Sequence, residues 1–172
     1  MSAQRLKVIH SCTSLSYSGL ERYVVDLCEW QYKQGHDVEL FCRRGSEMEK
    51  NAVARGVPVW TIGYHDKKGP LLWAKMMKSW KQRAAVALNT RMPLVLHMHA
   101  GGEPWFHLPW LTLRPQILMK TILQYHLWIN HSKLDPVHRA VFSGIDEIWS
   151  SSESARAHLA SILPVGRKKM RV

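Results

Sequence analysis

The chain is short of acidic residues and of cysteine, and it has no long apolar run. Asp and Glu total 13 against 24 Lys and Arg, a formal net charge of +11. That balance favours anionic partners: nucleic acid, an acidic membrane surface or phosphorylated small molecules. Charge alone selects none of them. The three cysteines, Cys12, Cys28 and Cys42, are odd in number, widely spaced, and lie in or beside apolar segments. This argues against a disulfide framework or a thiolate zinc site and fits a reducing cytoplasm. No stretch reaches the roughly 18 to 20 apolar residues that span a bilayer. Met1 to Gln4 is polar and the apolar run after it is only strand length, so no secretory leader is expected. The expectation is a cytoplasmic protein, at most peripheral on the inner face of the membrane. Internal repeats and low-complexity segments are absent too, and the first loop lacks the G-x-G-x-x-G of a dinucleotide site, holding only Gly19.

What is present is a regular alternation. Leu6 to His10 reads as a buried strand, Ser11 to Gly19 as a loop of small and hydroxyl residues, and Leu20, Tyr23, Val24, Leu27 and Cys28 as one face of a helix stopped by Gly35. Val38 to Cys42 is a second strand, Glu47 to Arg55 a short helix, and Val57 to Ile62 a third strand; Gly63 to Pro70 is a loop. Leu72 to Leu88 has the best helical pattern, with Trp73, Met76, Met77, Trp80, Ala84, Ala87 and Leu88 on one arc and Lys75, Lys78, Lys81 and Arg83 outside it. Pro93 to His99 is a fourth strand, followed by the small turn Ala100 to Glu103; Pro104 to Pro115 reads as a lid-like loop with a short helix. A fifth strand runs from Ile117 to Tyr125 and ends at His126. Then come a helix near Pro136 to Phe142, a sixth strand Ile145 to Ser150, and a helix capped by Ser152. Met170 to Val172 begins a further strand. Strands alternating with helices predict one α/β domain over residues 1–172, a Rossmann-like, doubly wound, mainly parallel sheet with helices on both faces and ligands at the carboxyl ends of the strands.

Several of these residues resemble one known pattern. Ser18-Gly19-Leu20-Glu21-Arg22, Gly35-His36-Asp37-Val38, Pro93 to His99, Gln124-Tyr125-His126, and Asp146-Glu147-Ile148 with Ser152-Glu153 are similar, in order and spacing, to motifs of the N-terminal domain of retaining GT-B glycosyltransferases of family four. The resemblance implies the acceptor-side half of such an enzyme, moving a sugar from a nucleotide diphosphate-sugar to a sugar, polysaccharide-linked or lipid-linked acceptor, with retention. It also implies a second, nucleotide-sugar-binding domain beyond Val172, so that this chain alone is expected to be inactive, and a reaction needing no metal or other cofactor.

Carried onto this sequence, the resemblance makes Ser18 and Gly19 the donor-phosphate loop. Glycine there lets backbone N–H groups approach the diphosphate, and Ser18 replaces the first of two usual glycines with a hydroxyl. His126 matches the histidine near the reacting centre; a strand-end histidine satisfied by backbone is its plainer alternative. Glu21, His99, Gly101, Glu103 and Tyr125 are expected to wall the acceptor cleft. His97 and His99 share a strand face and a metal pair is conceivable, but no third ligand stands at a recognisable spacing, so no metal site is expected. Trp105, Phe106 and Trp110, among prolines and beside Lys75, Lys78 and Lys81, suggest contact with an anionic membrane or a lipid-linked acceptor; a core stripe under a solvated basic face is the plainer reading of the helix.

Three rivals stay open. A dinucleotide-binding domain would use Cys42-Arg43-Arg44 to meet a 2′-phosphate. Nucleic-acid binding rests on charge alone, no recognition motif is present, and no nucleic-acid partner is expected. A non-catalytic interaction or membrane-recruiting domain is the third.

Overall fold

The computed structural model describes residues 4–63, 69–113, 119–126, 129–166 and 169–172. Among the described residues seven strands form one sheet: β1 (Lys7–Ser11), β2 (Asp37–Arg43), β3 (Val59–Ile62), β4 (Leu94–Met98), β5 (Met119–Tyr125), β6 (Glu147–Ser150) and β7 (Met170–Arg171). Their order is β3-β2-β1-β4-β5-β6-β7, and every described pairing is parallel. The expected strands start and stop within about two residues of these bounds. Residues 117–118 of the fifth strand and 64–68 of the third loop lie outside the described residues.

Alternation along the strands divides the core in two. Ile9, Phe41, Leu94, Leu96 and Met98 face one side, under α3 (Pro70–Asn89) and α4 (Leu108–Leu113), with Val141 and Phe142 of α5 (Pro136–Ser143) and Leu159 of α6 (Glu153–Ile162) in the same apolar cluster. Val8, Cys12, Val38, Leu40 and Cys42 face the other, under α1 (Gly19–Lys33) and α2 (Glu47–Ala54). All three cysteines are therefore buried, and burial drives their thiol pKa values up, that of Cys42 to about 12.

Local chemistry sets the helix ends. Ser46 Oγ accepts the Glu49 N–H at 3.2 Å, Asp135 accepts the Val137 and His138 N–H groups at 3.1 Å, and Ser152 accepts that of Ala155 at 3.1 Å. Gly35, just past α1, has φ +88°, a left-handed value that an L side chain resists.

The segment 104–113 corrects the lid-like expectation. Pro104 and Pro109 sit in the opening turns of a 3-10 turn (Glu103–Trp105) and of α4, where a missing N–H costs nothing. Phe106 and Trp110 are each only 2% exposed, and Trp110 stacks on Trp80 of α3 at 4.8 Å and 10°. The Trp73 indole donates to the Trp105 carbonyl at 2.8 Å. Burying an indole gains about 2 to 3 kcal/mol, so Phe106 and Trp110, read as a membrane face, go to the core instead, with Trp105 half-buried against it.

Candidate active site

In a 3-2-1-4 order the chain reverses direction across the sheet between β1 and β4, and their two following loops open a crevice at the strands' carboxyl ends. The first loop, residues 12–18, is held on both sides by a carboxylate. From the β4 side, Glu103 accepts the Thr13 N–H at 2.9 Å, the Thr13 hydroxyl at 2.7 Å and the Ser11 hydroxyl at 2.5 Å. Behind it, the Trp80 indole, which can only donate, meets His107 Nδ1 at 3.2 Å. His107 must then donate from Nε2 to Ser11 Oγ, 2.8 Å away, which leaves the Ser11 proton for Glu103. From the α1 side, Glu21 accepts the Ser18 N–H and hydroxyl, each at 2.7 Å, and the Ser16 hydroxyl at 3.2 Å. Burial pushes the Glu21 carboxyl up, but hydrogen bonds from Ser14 and Ser18 outweigh it and hold the pKa at about 2.

Glu21 and Glu103 were expected on the acceptor wall. Both are only 2% exposed, and their oxygens serve the loop's own hydroxyls and amides. Ser18 and Gly19 are exposed at the start of α1, and a Cβ added at Gly19 meets nothing within 4 Å. The space beside Gly19 is therefore open to a ligand, and the helix N-terminus points positive potential into it.

Four histidines stand on the α1 side of the sheet at the same edge. His10 of β1 is the register partner of His97 of β4, and His99 lies two residues beyond. Ring centroids are 5.2 Å apart for His10 and His97, 4.1 Å for His97 and His99, and 5.2 Å for His10 and His99. His126, just past β5 and half-buried, stacks against His99 at 5.8 Å, and Tyr23 of α1 lies 5.3 Å from its ring. Burial lowers the pKa of His10 to about 4 and of His97 to about 3, that of His99 well below its ordinary range, and that of His126 in the same direction. All four are neutral at physiological pH, and His126 Nε2 is buried with no partner among the described residues. A neutral imidazole there can hydrogen-bond a sugar hydroxyl or phosphate oxygen.

Gly101 and Tyr125 meet each other: a Cβ on Gly101 would lie 2.8 Å from the Tyr125 ring, which is 4% exposed. The glycine is required by close packing under the β4 loop. Lys75, Lys78 and Lys81 are exposed along α3. Arg43, one of the two arginines offered to a 2′-phosphate, donates to the Gly63 carbonyl at 3.0 Å and lies over the Phe106 ring, 5.2 Å from its centroid. The dinucleotide reading loses that group.

Against this geometry, a family model described as Glycosyltransferase Family 4 matches residues 17–172. The chain belongs to glycosyltransferase family 4. Solved structures show the same fold for this family 4 chain. A glycosyltransferase from Rickettsia africae ESF-5 superposes with a TM-score of 0.69 at 14% identity, over 98% of this chain and 42% of that one. Anabaena Alr3699/HepE in complex with UDP-glucose gives a TM-score of 0.61 at 10% identity, over 98% and 43%. MurG of Acinetobacter baumannii gives 0.55 at 8%, over 88% and 42%. No curated protein sequence matches the family 4 chain. It spans about two fifths of the length of these solved structures.

Two residues of the site escaped sequence reasoning. His10 has no sequence neighbour that marks it, and only the β1-β4 pairing sets it beside His97. His107 sat in the segment read as a lid.

Proposed function

We propose that the chain is the acceptor-side half of a retaining glycosyltransferase whose donor is a nucleotide diphosphate-sugar. The observation behind this is the open space beside Gly19, where the loop after β1 and the N-terminus of α1 meet at the switch point. The donor diphosphate would lie there, its developing charge met by backbone N–H groups and the helix dipole instead of a metal ion. In the transfer, the bond from the anomeric carbon to the phosphate oxygen breaks and one to the acceptor oxygen forms on the same face. The acceptor proton passes to the departing diphosphate. Glu21 and Glu103, buried and engaged, are not the base; the half-buried ring of His126, at the end of β5, holds the sugar.

The grip on the nucleotide comes from a second domain, consistent with relatives more than twice as long. HepE was solved with UDP-glucose and with UDP, so uridine donors head the panel. Contact with an anionic membrane surface would be electrostatic, through Lys75, Lys78 and Lys81, since Phe106 and Trp110 are buried.

The test is nucleotide release by the two-domain protein from a panel of donors, with and without chelator. Release from one donor class that survives chelation supports the proposal; no release from any donor with any sugar or lipid-linked acceptor contradicts it.

A further inference from the structure

We propose that His10, His97 and His99 form a site for one transition-metal cation of the zinc class, separate from the sugar-transfer chemistry. Their ligating nitrogens all lie within 4.8 Å of one another. The three side chains are 0%, 4% and 1% exposed, and His97 Nε2 and His99 Nδ1 have no hydrogen-bond partner among the described residues. Buried polar atoms are almost always satisfied, so the orphaned His97 Nε2, beside the paired His10 and His99 rings, points to a ligand between the rings.

The tautomers fit that ligand. The Gln31 carbonyl oxygen, 2.8 Å from His10 Nε2, can only accept, so His10 carries its proton on Nε2 and turns the Nδ1 lone pair toward His99 Nε2, 2.9 Å away. A second imidazole nitrogen fixed by an amide oxygen is the usual support of a metal-bound histidine. Without metal, His99 Nε2–H fills the gap by donating to His10. A cation takes the place of that shared proton, which moves to His99 Nδ1. Tetrahedral zinc, with bonds of about 2.0 to 2.1 Å, spaces its nitrogens roughly 3.3 Å apart, so the pair need open by only a few tenths of an ångström. Neutral imidazoles without a carboxylate suit zinc, cobalt or nickel and offer nothing to magnesium or calcium. Three protein ligands leave a fourth position for water.

The test uses untagged chain stripped of metal and titrated with Co2+, then Zn2+. One equivalent of Co2+ should bind, give the visible bands of a four-coordinate nitrogen site, and be displaced by Zn2+; Zn2+ should raise the unfolding temperature and Mg2+ should not. X-ray absorption of the zinc-loaded wild type should count three imidazoles. Gln31→Leu should weaken binding by about tenfold or more, His97→Ala should abolish it, and His138→Ala, on α5 and outside the cluster, should leave it unchanged. Absence of binding by wild type, a shell with fewer than three imidazoles, or full affinity in folded His97→Ala would each overturn the proposal. The wild-type shell decides even if a histidine variant fails to fold, and no readout depends on sugar transfer.

Discussion

Glu103, at the end of the β4 loop, accepts the backbone N–H of Thr13 at 2.9 Å, so one side of the crevice fixes the other. The same carboxylate takes the hydroxyls of Thr13 and Ser11. Replacing it with leucine strands three buried donors. Glu103→Leu should therefore cost about 3 kcal/mol or more, the range for unpaired buried polar groups, read as a lower midpoint in urea. A loss below about 0.5 kcal/mol would mean that the loop finds other partners.

Gly101 and Tyr125 make a second tight contact. Gly101→Ala puts a methyl 2.8 Å from the Tyr125 ring, which is only 4% exposed, an overpacking cost of about 1 to 3 kcal/mol. Tyr125→Phe should be neutral or slightly stabilising, because the hydroxyl it removes is buried with no partner among the described residues. Thermal unfolding of both variants checks the pair.

Acid should loosen the loop from its other side. Glu21 titrates at about 2 when folded against an ordinary 4.5. A depressed carboxyl contributes stability that is present above the unfolded value and lost as pH falls toward the folded one. The Glu21 contribution should thus fade between about pH 4.5 and pH 2, and Glu21→Gln should flatten the stability profile over that window. An unchanged slope in the variant would assign the acid limb to other groups.

Trp110 separates core from membrane. Trp110→Ala should lose about 3 to 5 kcal/mol of stability through the cavity left against Trp80. At temperatures where the variant stays folded, binding to anionic vesicles should match wild type, while charge reversal of Lys75, Lys78 and Lys81 should weaken it. A vesicle defect in folded Trp110→Ala would restore the aromatic contact.

How legible this was in the sequence depended on whether the signal was local. Strands such as Val38 to Cys42 were readable because their apolar runs are bounded by turn residues, and Ser152 because its cap lies next to its helix. The 104–113 segment was misread because its prolines look like loop residues, whereas its burial is set by Trp80, more than twenty residues away in the chain. Glu21 and Glu103 looked like cleft carboxylates because Ser18, the partner of one, reads as a phosphate donor, and Ser11 and Thr13, the partners of the other, lie far from it in the chain. The metal reading stopped at His97 and His99 because the third ligand, His10, is separated from them by two strands and three helices and joins them only through parallel register.

The loop after β1 is proposed as the diphosphate cradle, and Gly19→Val in the two-domain enzyme tests that role directly. A Cβ added there meets nothing within 4 Å and the position is exposed, so the unfolding free energy should stay within about 0.5 kcal/mol of wild type. Nucleotide release should fall about 100-fold or more, as when a preorganised donor to the developing charge is blocked. Turnover within about twofold of wild type in a folded Gly19→Val enzyme, well under the 1.4 kcal/mol that a tenfold loss represents, would contradict the cradle and leave the loop as a turn.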